Sequence, residues 1–233
     1  MYSFRNDYSE GAHPKILEAL TQTNLVQTCG YSLDPYCADA AALIRDLCHA
    51  PEADVHFLVG GTQTNLVVLD ALLASYESVI AAHTGHVNVH ETGAIEATGH
   101  KVCTVHSPDG KLTPELVDTV VRGHSSEHMV LPRVVYISDT TEVGTVYTKA
   151  ELTALRDYCD NHGLLLFLDG ARLGAALTSP VNDLTLADLA RLTDAFYIGG
   201  TKNGLLFGEA LVMTTPWSLF RWQMKQRGAI VAK

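Results

Sequence analysis

Long apolar runs are missing from this 233-residue chain: no stretch approaches the ~20 residues needed to span a bilayer. The N-terminus, Met1-Tyr2-Ser3-Phe4-Arg5-Asn6-Asp7, lacks the apolar core of a signal peptide. Basic character is also scarce. Sixteen Lys and Arg face 26 Asp and Glu, a net charge of −10, and no basic run interrupts that balance. Nucleic-acid binding and docking on anionic membranes are therefore not expected. The five cysteines (Cys29, Cys37, Cys48, Cys103, Cys159) are odd in number and contain no CxxC pair. That excludes a disulfide framework and fits a reducing compartment, so the cytosol is the expected location. Internal repeats, low-complexity tracts and long linkers are absent, as are HExxH, the Walker loop and the GxGxxG fingerprint.

What is present suffices for a core: 47% of residues are hydrophobic, 18% are charged, and the mean hydropathy is +0.09. Short apolar runs alternate with helical patterns. Expected strands are Val55–Val59, Val79–Ala82, Lys101–Val105, Val134–Ile137, Leu164–Leu168, Ala195–Ile198 and Glu209–Met213. Expected helices are Pro14–Thr21, Tyr36–Cys48, Gln63–Ala74, Ala94–Thr98, Thr113–Arg122, Lys149–His162, Leu184–Arg191 and Ser218–Lys233. Val87-Asn88-Val89, flanked by glycines, reads as a poor helix, and Gly228 falls too early to end the last one. Leu164-Leu165-Leu166-Phe167-Leu168 is the continuous apolar run of a strand buried on both faces. The alternation indicates one α/β domain over residues 1–233, a mainly parallel sheet with helices on both faces. Residues 1–30 form an N-terminal arm and substrate loop, and 217–233 start a helix leading to a domain beyond these residues.

Two of the expected strands end in a charged residue beside glycine: Leu168-Asp169-Gly170 and Ile198-Gly199-Gly200-Thr201-Lys202. Ligands of open α/β sheets bind at the carboxyl ends of strands. A carboxylate and an amine delivered there match the needs of pyridoxal 5′-phosphate (PLP). The lysine carries the cofactor as a Schiff base, and the aspartate keeps the pyridine nitrogen protonated. Val59-Gly60-Gly61-Thr62-Gln63-Thr64-Asn65 follows a strand and opens a helix, where free amides and the helix dipole suit a phosphate. Gly-Gly-Thr is also an ordinary strand-to-helix turn. In His83-Thr84-Gly85-His86-Val87-Asn88-Val89-His90-Glu91, His86 and His90 are spaced i, i+4 with Glu91 beyond. This cluster reads as a metal set, as a structural histidine, or as a histidine at an organic cofactor that stacks and moves protons. The last is preferred, and no metal is expected. Arg172, three residues after Asp169, can hold a carboxylate bidentately or form a surface ion pair at a helix start.

In this order, Gly60-Gly61-Thr62-Gln63-Thr64-Asn65, Leu168-Asp169-Gly170-Ala171-Arg172-Leu173 and Gly200-Thr201-Lys202 resemble the threonine aldolase and β-eliminating lyase family of fold type I PLP enzymes. Gly85-His86-Val87, Glu91-Thr92-Gly93-Ala94 and Tyr31-Ser32-Leu33-Asp34-Pro35 add weaker support. The resemblance implies the large, PLP-binding domain of the aspartate aminotransferase-like fold, without the small C-terminal domain. It also implies retro-aldol cleavage of a β-hydroxy-α-amino acid, such as L-threonine or L-allo-threonine to glycine and acetaldehyde, in a homodimer or homotetramer. Lys202 would hold PLP, Asp169 would pair with its pyridine nitrogen, His86 would stack on the ring, and Gly61, Thr62 and Gln63 would bind the phosphate end. Arg172 and Asn6 would take the substrate carboxylate, with Tyr31 at the substrate near a partner's cofactor. Two departures stand out. Thr141, in Ser138-Asp139-Thr140-Thr141-Glu142, is at the place of a second histidine that assists at the β-hydroxyl. The sequence also ends before the C-terminal domain that supplies another carboxylate-binding arginine, so slow turnover is expected of these residues alone. β-Elimination and transamination need the same lysine and aspartate. A metal-dependent lyase on His86, His90 and Glu91, and a non-catalytic binding or oligomerisation module, are the readings from other classes.

Overall fold

The computed structural model describes residues 3–215 and 217–230. Seven strands form one sheet: β1 (Asp54–Leu58), β2 (Glu77–Ala82), β3 (Lys101–Val105), β4 (Leu131–Ser138), β5 (Leu165–Asp169), β6 (Ala195–Gly199) and β7 (Glu209–Met213). Their spatial order is β1-β7-β6-β5-β4-β2-β3. The pairs β2–β3, β2–β4, β4–β5 and β5–β6 are parallel, while β7 runs antiparallel to both β6 and β1. Every expected strand is present, with ends shifted by up to three residues.

Side chains of a strand alternate between faces, so each strand feeds two cores. On one face Ile80, Val135, Leu166, Leu168 and Phe196 pack with Leu152, Leu155, Cys159, Leu189 and Leu192. On the other, Val79, Val134, Tyr136, Phe167 and Tyr197 pack with Val67, Val68, Phe220 and Met224. The helices are α1 (Pro14–Thr23), α2 (Pro35–Cys48), α3 (Gly61–Leu72), α4 (His86–Val89), α5 (Pro114–Gly123), α6 (Lys149–His162), α7 (Leu173–Leu177), α8 (Leu186–Leu192) and α9 (Phe220–Gln226), and the helical residues just named come from α3, α6, α8 and α9. Local chemistry fixes their ends. Thr148 and Glu151 make a capping box at the start of α6, and Gly163 stops it in the left-handed region at φ 65°. Among the described residues no helix is long and apolar enough to cross a membrane.

Four local expectations need correction. Ala94–Thr98 is only a 3₁₀ turn over Glu96–Thr98, because Gly99 at φ 94° ends it after three residues. The segment from His86 does make one helical turn, α4, held by burial of Val87 at 2% exposure, a tertiary contribution that propensity does not contain. The short α7 was not expected from the sequence; Leu173 and Ala176 bury its inner face. The last helix ends at Gln226 and does not run on. Gly228 at φ 68° reverses the chain, and Ala229 N donates to Met224 O at 2.7 Å, a glycine stop of the Schellman kind. Val231, Ala232 and Lys233 of that expected helix lie outside the described residues.

Candidate active site

Because β1, β2, β4, β5 and β6 point the same way, their carboxyl ends share one edge of the sheet. The reversed β7 begins there, which brings its first residue, Glu209, to the same edge. A cavity of about 310 Å³ opens at this edge, lined by Gly60, Gly61, Thr62, His86, Ser138, Thr140, Glu142, Asp169, Arg172, Thr201, Lys202 and Glu209, with Tyr8, Tyr197 and Phe207 among its walls. Tyr8, Thr201 and Lys202 also border a neighbouring hollow formed with the N-terminal arm, where Asn6 and Asp7 sit. Lys202, Asp169, His86, Gly61, Thr62 and Arg172 are thus brought together in one cavity.

Asp169 is the most closely held group in it. One carboxylate oxygen accepts from Asn65 Nδ2 at 2.9 Å and from Tyr136 OH at 2.5 Å. The other accepts from Ala171 N at 3.0 Å and from the Tyr197 hydroxyl. These bonds fix the acid at the cavity floor, 4% exposed. Burial and the Asp169 charge push the hydroxyls of Tyr136 and Tyr197 well above the ordinary tyrosine range, so both remain donors. The neighbouring Gly170 tolerates no side chain, since a Cβ there would stand 1.7 Å from Tyr197 O. The glycine is what lets β5 and β6 close up behind the carboxylate.

Asn65 links this group to the next. Its Nδ2 also donates to Glu91 Oε1 at 2.7 Å, and the same oxygen lies 2.8 Å from His86 Nδ1. The hydrogen bond to Glu91 is the leading cause that raises the His86 pKa, against the opposing pull of burial. Glu91 is buried and fixes the imidazole orientation through Nδ1. His90 stands with its ring centroid 5.6 Å from that of His86, and among the described residues no group of three His, Cys, Asp or Glu is arranged to hold a metal.

Lys202 is half-buried. Burial and the nearby Arg172 charge lower its pKa, which favours the neutral, nucleophilic amine. The turn that carries it is pinned by Glu209, whose oxygens accept from Gly200 N at 3.2 Å and Thr201 Oγ1 at 3.1 Å; burial raises that carboxyl to about 7. On the opposite wall, Gly60 caps α3 without a side-chain bond. The first α3 amide with a backbone acceptor is Thr64 N, to Gly60 O at 3.0 Å, so the amides of Gly61, Thr62 and Gln63 point out of the helix start.

Other expected residues are placed differently. Gln63 does not line the cavity: its Oε1 accepts from Val59 N at 3.1 Å, fastening the strand end to the helix. Arg172 lies in the cavity wall with its guanidinium already paired to Asp7, at 2.5 and 3.2 Å. Asn6 borders the neighbouring hollow and uses its Oδ1 to accept from Tyr8 N and Ser9 Oγ. Tyr31 is outside the cavity, its ring 4.2 Å from Lys225 Nζ and its carbonyl accepting from Arg221. Thr141 is buried and turned away, bonded to Thr145 Oγ1 at 2.7 Å. The sequence reading missed Asn65, Tyr136, Tyr197, Glu142 and Glu209 as site residues. The two tyrosines carried a faint signal: each lies inside an apolar strand, two residues before its carboxyl end, and a buried phenol needs a partner.

The comparisons with known proteins agree with this geometry. The family model described as "Beta-eliminating lyase" matches residues 4–229. The low-specificity L-threonine aldolase of Pseudomonas sp. (strain NCIMB 10558) is 36% identical over 236 residues, covering 99% of this chain and 67% of that protein. The structure of Leishmania major threonine aldolase superposes with a TM-score of 0.99 at 57% identity, over 100% of this chain and 69% of that one. Thermus thermophilus aspartate aminotransferase, 16% identical with a TM-score of 0.73 over 96% of this chain and 59% of its own, shares the fold. The chain belongs to the threonine aldolase and β-eliminating lyase family of lyases, whose cofactor is pyridoxal 5′-phosphate.

Proposed function

We propose that the chain is the PLP-binding domain of an aldehyde-lyase that cleaves a β-hydroxy-α-amino acid, most simply L-threonine or L-allo-threonine, to glycine and an aldehyde. The observation that carries this is the meeting of Lys202, Asp169, His86 and the open start of α3 in one cavity. The residues fit the cofactor. The amides of Gly61 and Thr62 suit its phosphate, and a methyl at position 61 would meet the Tyr197 hydroxyl at 3.0 Å, so the glycine keeps that wall low. Asp169 is a fixed, buried carboxylate that would pair with the pyridine nitrogen, and His86 offers a ring whose orientation Glu91 holds.

The chemistry PLP supplies when bound is electron withdrawal from the amino acid's Cα. The protein's share is placement and charge. Lys202 would hold the cofactor through its amine, whose lowered pKa favours the neutral nucleophile. Asp169 would keep a proton on the pyridine nitrogen, and its four hydrogen bonds hold it in place for that. His86 would cover the ring and, with Nδ1 engaged by Glu91, would keep Nε2 for proton transfer. Arg172 takes the substrate carboxylate when Asp7 releases it, and Asn6 and Tyr31 complete the substrate side, Tyr31 from a neighbouring subunit.

Leu17, Leu20, Leu25, Leu33, Leu43 and Leu47 are exposed on the described surface. So many uncovered apolar side chains support assembly as a homodimer or homotetramer. The five free cysteines support a reducing, cytosolic setting. The test is a product assay on the purified, PLP-loaded protein. Acetaldehyde and glycine from L-threonine are expected; pyruvate and ammonia from serine-type substrates without acetaldehyde would replace the aldolase reading with β-elimination.

A further inference from the structure

The cavity holds three carboxylates, and their hydrogen bonds divide them. Both oxygens of Asp169 are occupied by four donors, and both oxygens of Glu209 are taken by Gly200 N and Thr201 Oγ1. Glu142 differs. Its Oε1 accepts from His86 N at 2.9 Å and from Ser138 Oγ at 2.7 Å, and both of these contacts fall on that one oxygen. Glu142 is partly exposed and lines the cavity, so Oε2 is the carboxylate oxygen left to a ligand. Thr141, the preceding residue, cannot share the task, because it is buried against Thr145.

We propose that Glu142 is the general base for the substrate β-hydroxyl. The assignment rests on the retro-aldol reading above. The hydroxyl proton passes to Glu142 Oε2 and the O–H electron pair becomes the second bond of the aldehyde C=O. The Cα–Cβ bond breaks and its electron pair remains on Cα. A proton then adds to Cα to give glycine, and the proton on Glu142 returns to solvent, so none is gained or lost. Positioning comes from the His86 amide and the Ser138 hydroxyl, which hold one oxygen and thereby aim the other. A glutamine keeps an oxygen for both donors but has no basic atom in place of Oε2.

The test is Glu142→Gln in the PLP-loaded protein, read by four measurements. Acetaldehyde release from L-threonine should fall on the order of 10²-fold, the usual share of a positioned base. Exchange of the glycine Cα proton with deuterium oxide, a reaction with no β-hydroxyl, should fall less than ~3-fold. The visible absorbance of the bound cofactor should not change. The acidic limb of the kcat/KM–pH profile for threonine should flatten, which a structural role would not cause. A parallel loss of exchange and cleavage would make Glu142 a support for His86 and overturn the assignment, as would threonine cleavage kept near the wild-type rate. Wild-type protein that exchanges the glycine proton but cleaves no β-hydroxy amino acid would overturn the retro-aldol reading and this role with it.

Discussion

The two walls of the cavity are built in opposite ways. Asp169, Tyr136, Tyr197, Asn65 and Glu91 come from the sheet and from α3 and its surroundings; all are buried and linked by hydrogen bonds centred on Asp169 and Asn65, while Asn65 Oδ1 and Glu91 Oε2 have no partner among the described residues. Arg172 and Lys202 face the N-terminal arm, where Asp7 pairs with Arg172 and the Tyr8 ring lies 5.9 Å from Lys202 Nζ. The Arg172 and Asp7 side chains are 34% and 43% exposed. One wall is set before any ligand arrives, as electrostatic stabilisation requires. The other is closed by a weak surface ion pair and must open to admit a carboxylate.

The largest effect tests whether the two walls act on one cofactor. Lys202→Ala should abolish borohydride-dependent fixation of PLP to the chain and reduce turnover by several orders of magnitude; peptide mapping that found the label on another lysine would sink the assignment. Asp169→Asn probes the rigid wall alone. The amide cannot hold the pyridine proton, so PLP should still bind while kcat falls on the order of 10²–10³-fold. Near-normal kcat would reduce Asp169 to a structural strand end.

The arm side should respond in the opposite direction. An exposed ion pair is worth ~0.2–1 kcal/mol, so Asp7→Ala should lower KM for the amino acid ~2- to 5-fold with little change in kcat. A raised KM would mean that Asp7 helps to bind substrate, and that the arm is part of the site.

The last effect concerns stability at the edge of the rigid wall and is read outside catalysis. Burial raises the Asp139 carboxyl from 3.8 to about 7, with the Tyr147 amide opposing. An acid whose folded pKa is raised carries no penalty below its unfolded value, and its stabilising protonated form is lost as pH rises through about 7. The melting temperature of Asp139→Asn, compared with wild type, should therefore gain between pH 4 and 8. A constant difference across that range would mean that Asp139 titrates normally.

Part of the site, on both walls, could be read from the chain because it follows from local pattern. The apolar run Leu164–Leu168 ending in Asp169, the run Ala195–Ile198 leading to Lys202, and Gly60-Gly61-Thr62 at a helix start are short-range signals with a physical cause in each case. The same pattern gave all seven strands, and Gly163 after Lys149–His162 gave a helix end to the residue. Where propensity failed, a distant contact had intervened. Val87 buries itself and makes a helical turn of a weak sequence, and Leu173 and Ala176 do the same for α7.

The sequence by itself determined the seven strands, most of the helices, the mainly parallel character of the sheet and several residues at its carboxyl edge, because strand runs, caps and glycine stops are properties of neighbours in the chain. Only the tertiary structure decided the pairing of those residues. That Asn65 bonds Asp169 across 104 positions, that Arg172 meets Asp7 across 165, and that Glu142 shares one oxygen between His86 and Ser138 depend on strand order and register. The order β1-β7-β6-β5-β4-β2-β3 sets which strand ends are neighbours, and with them which carboxylate keeps an oxygen free. No local pattern encodes that order, since it is fixed by the burial of both sheet faces at once.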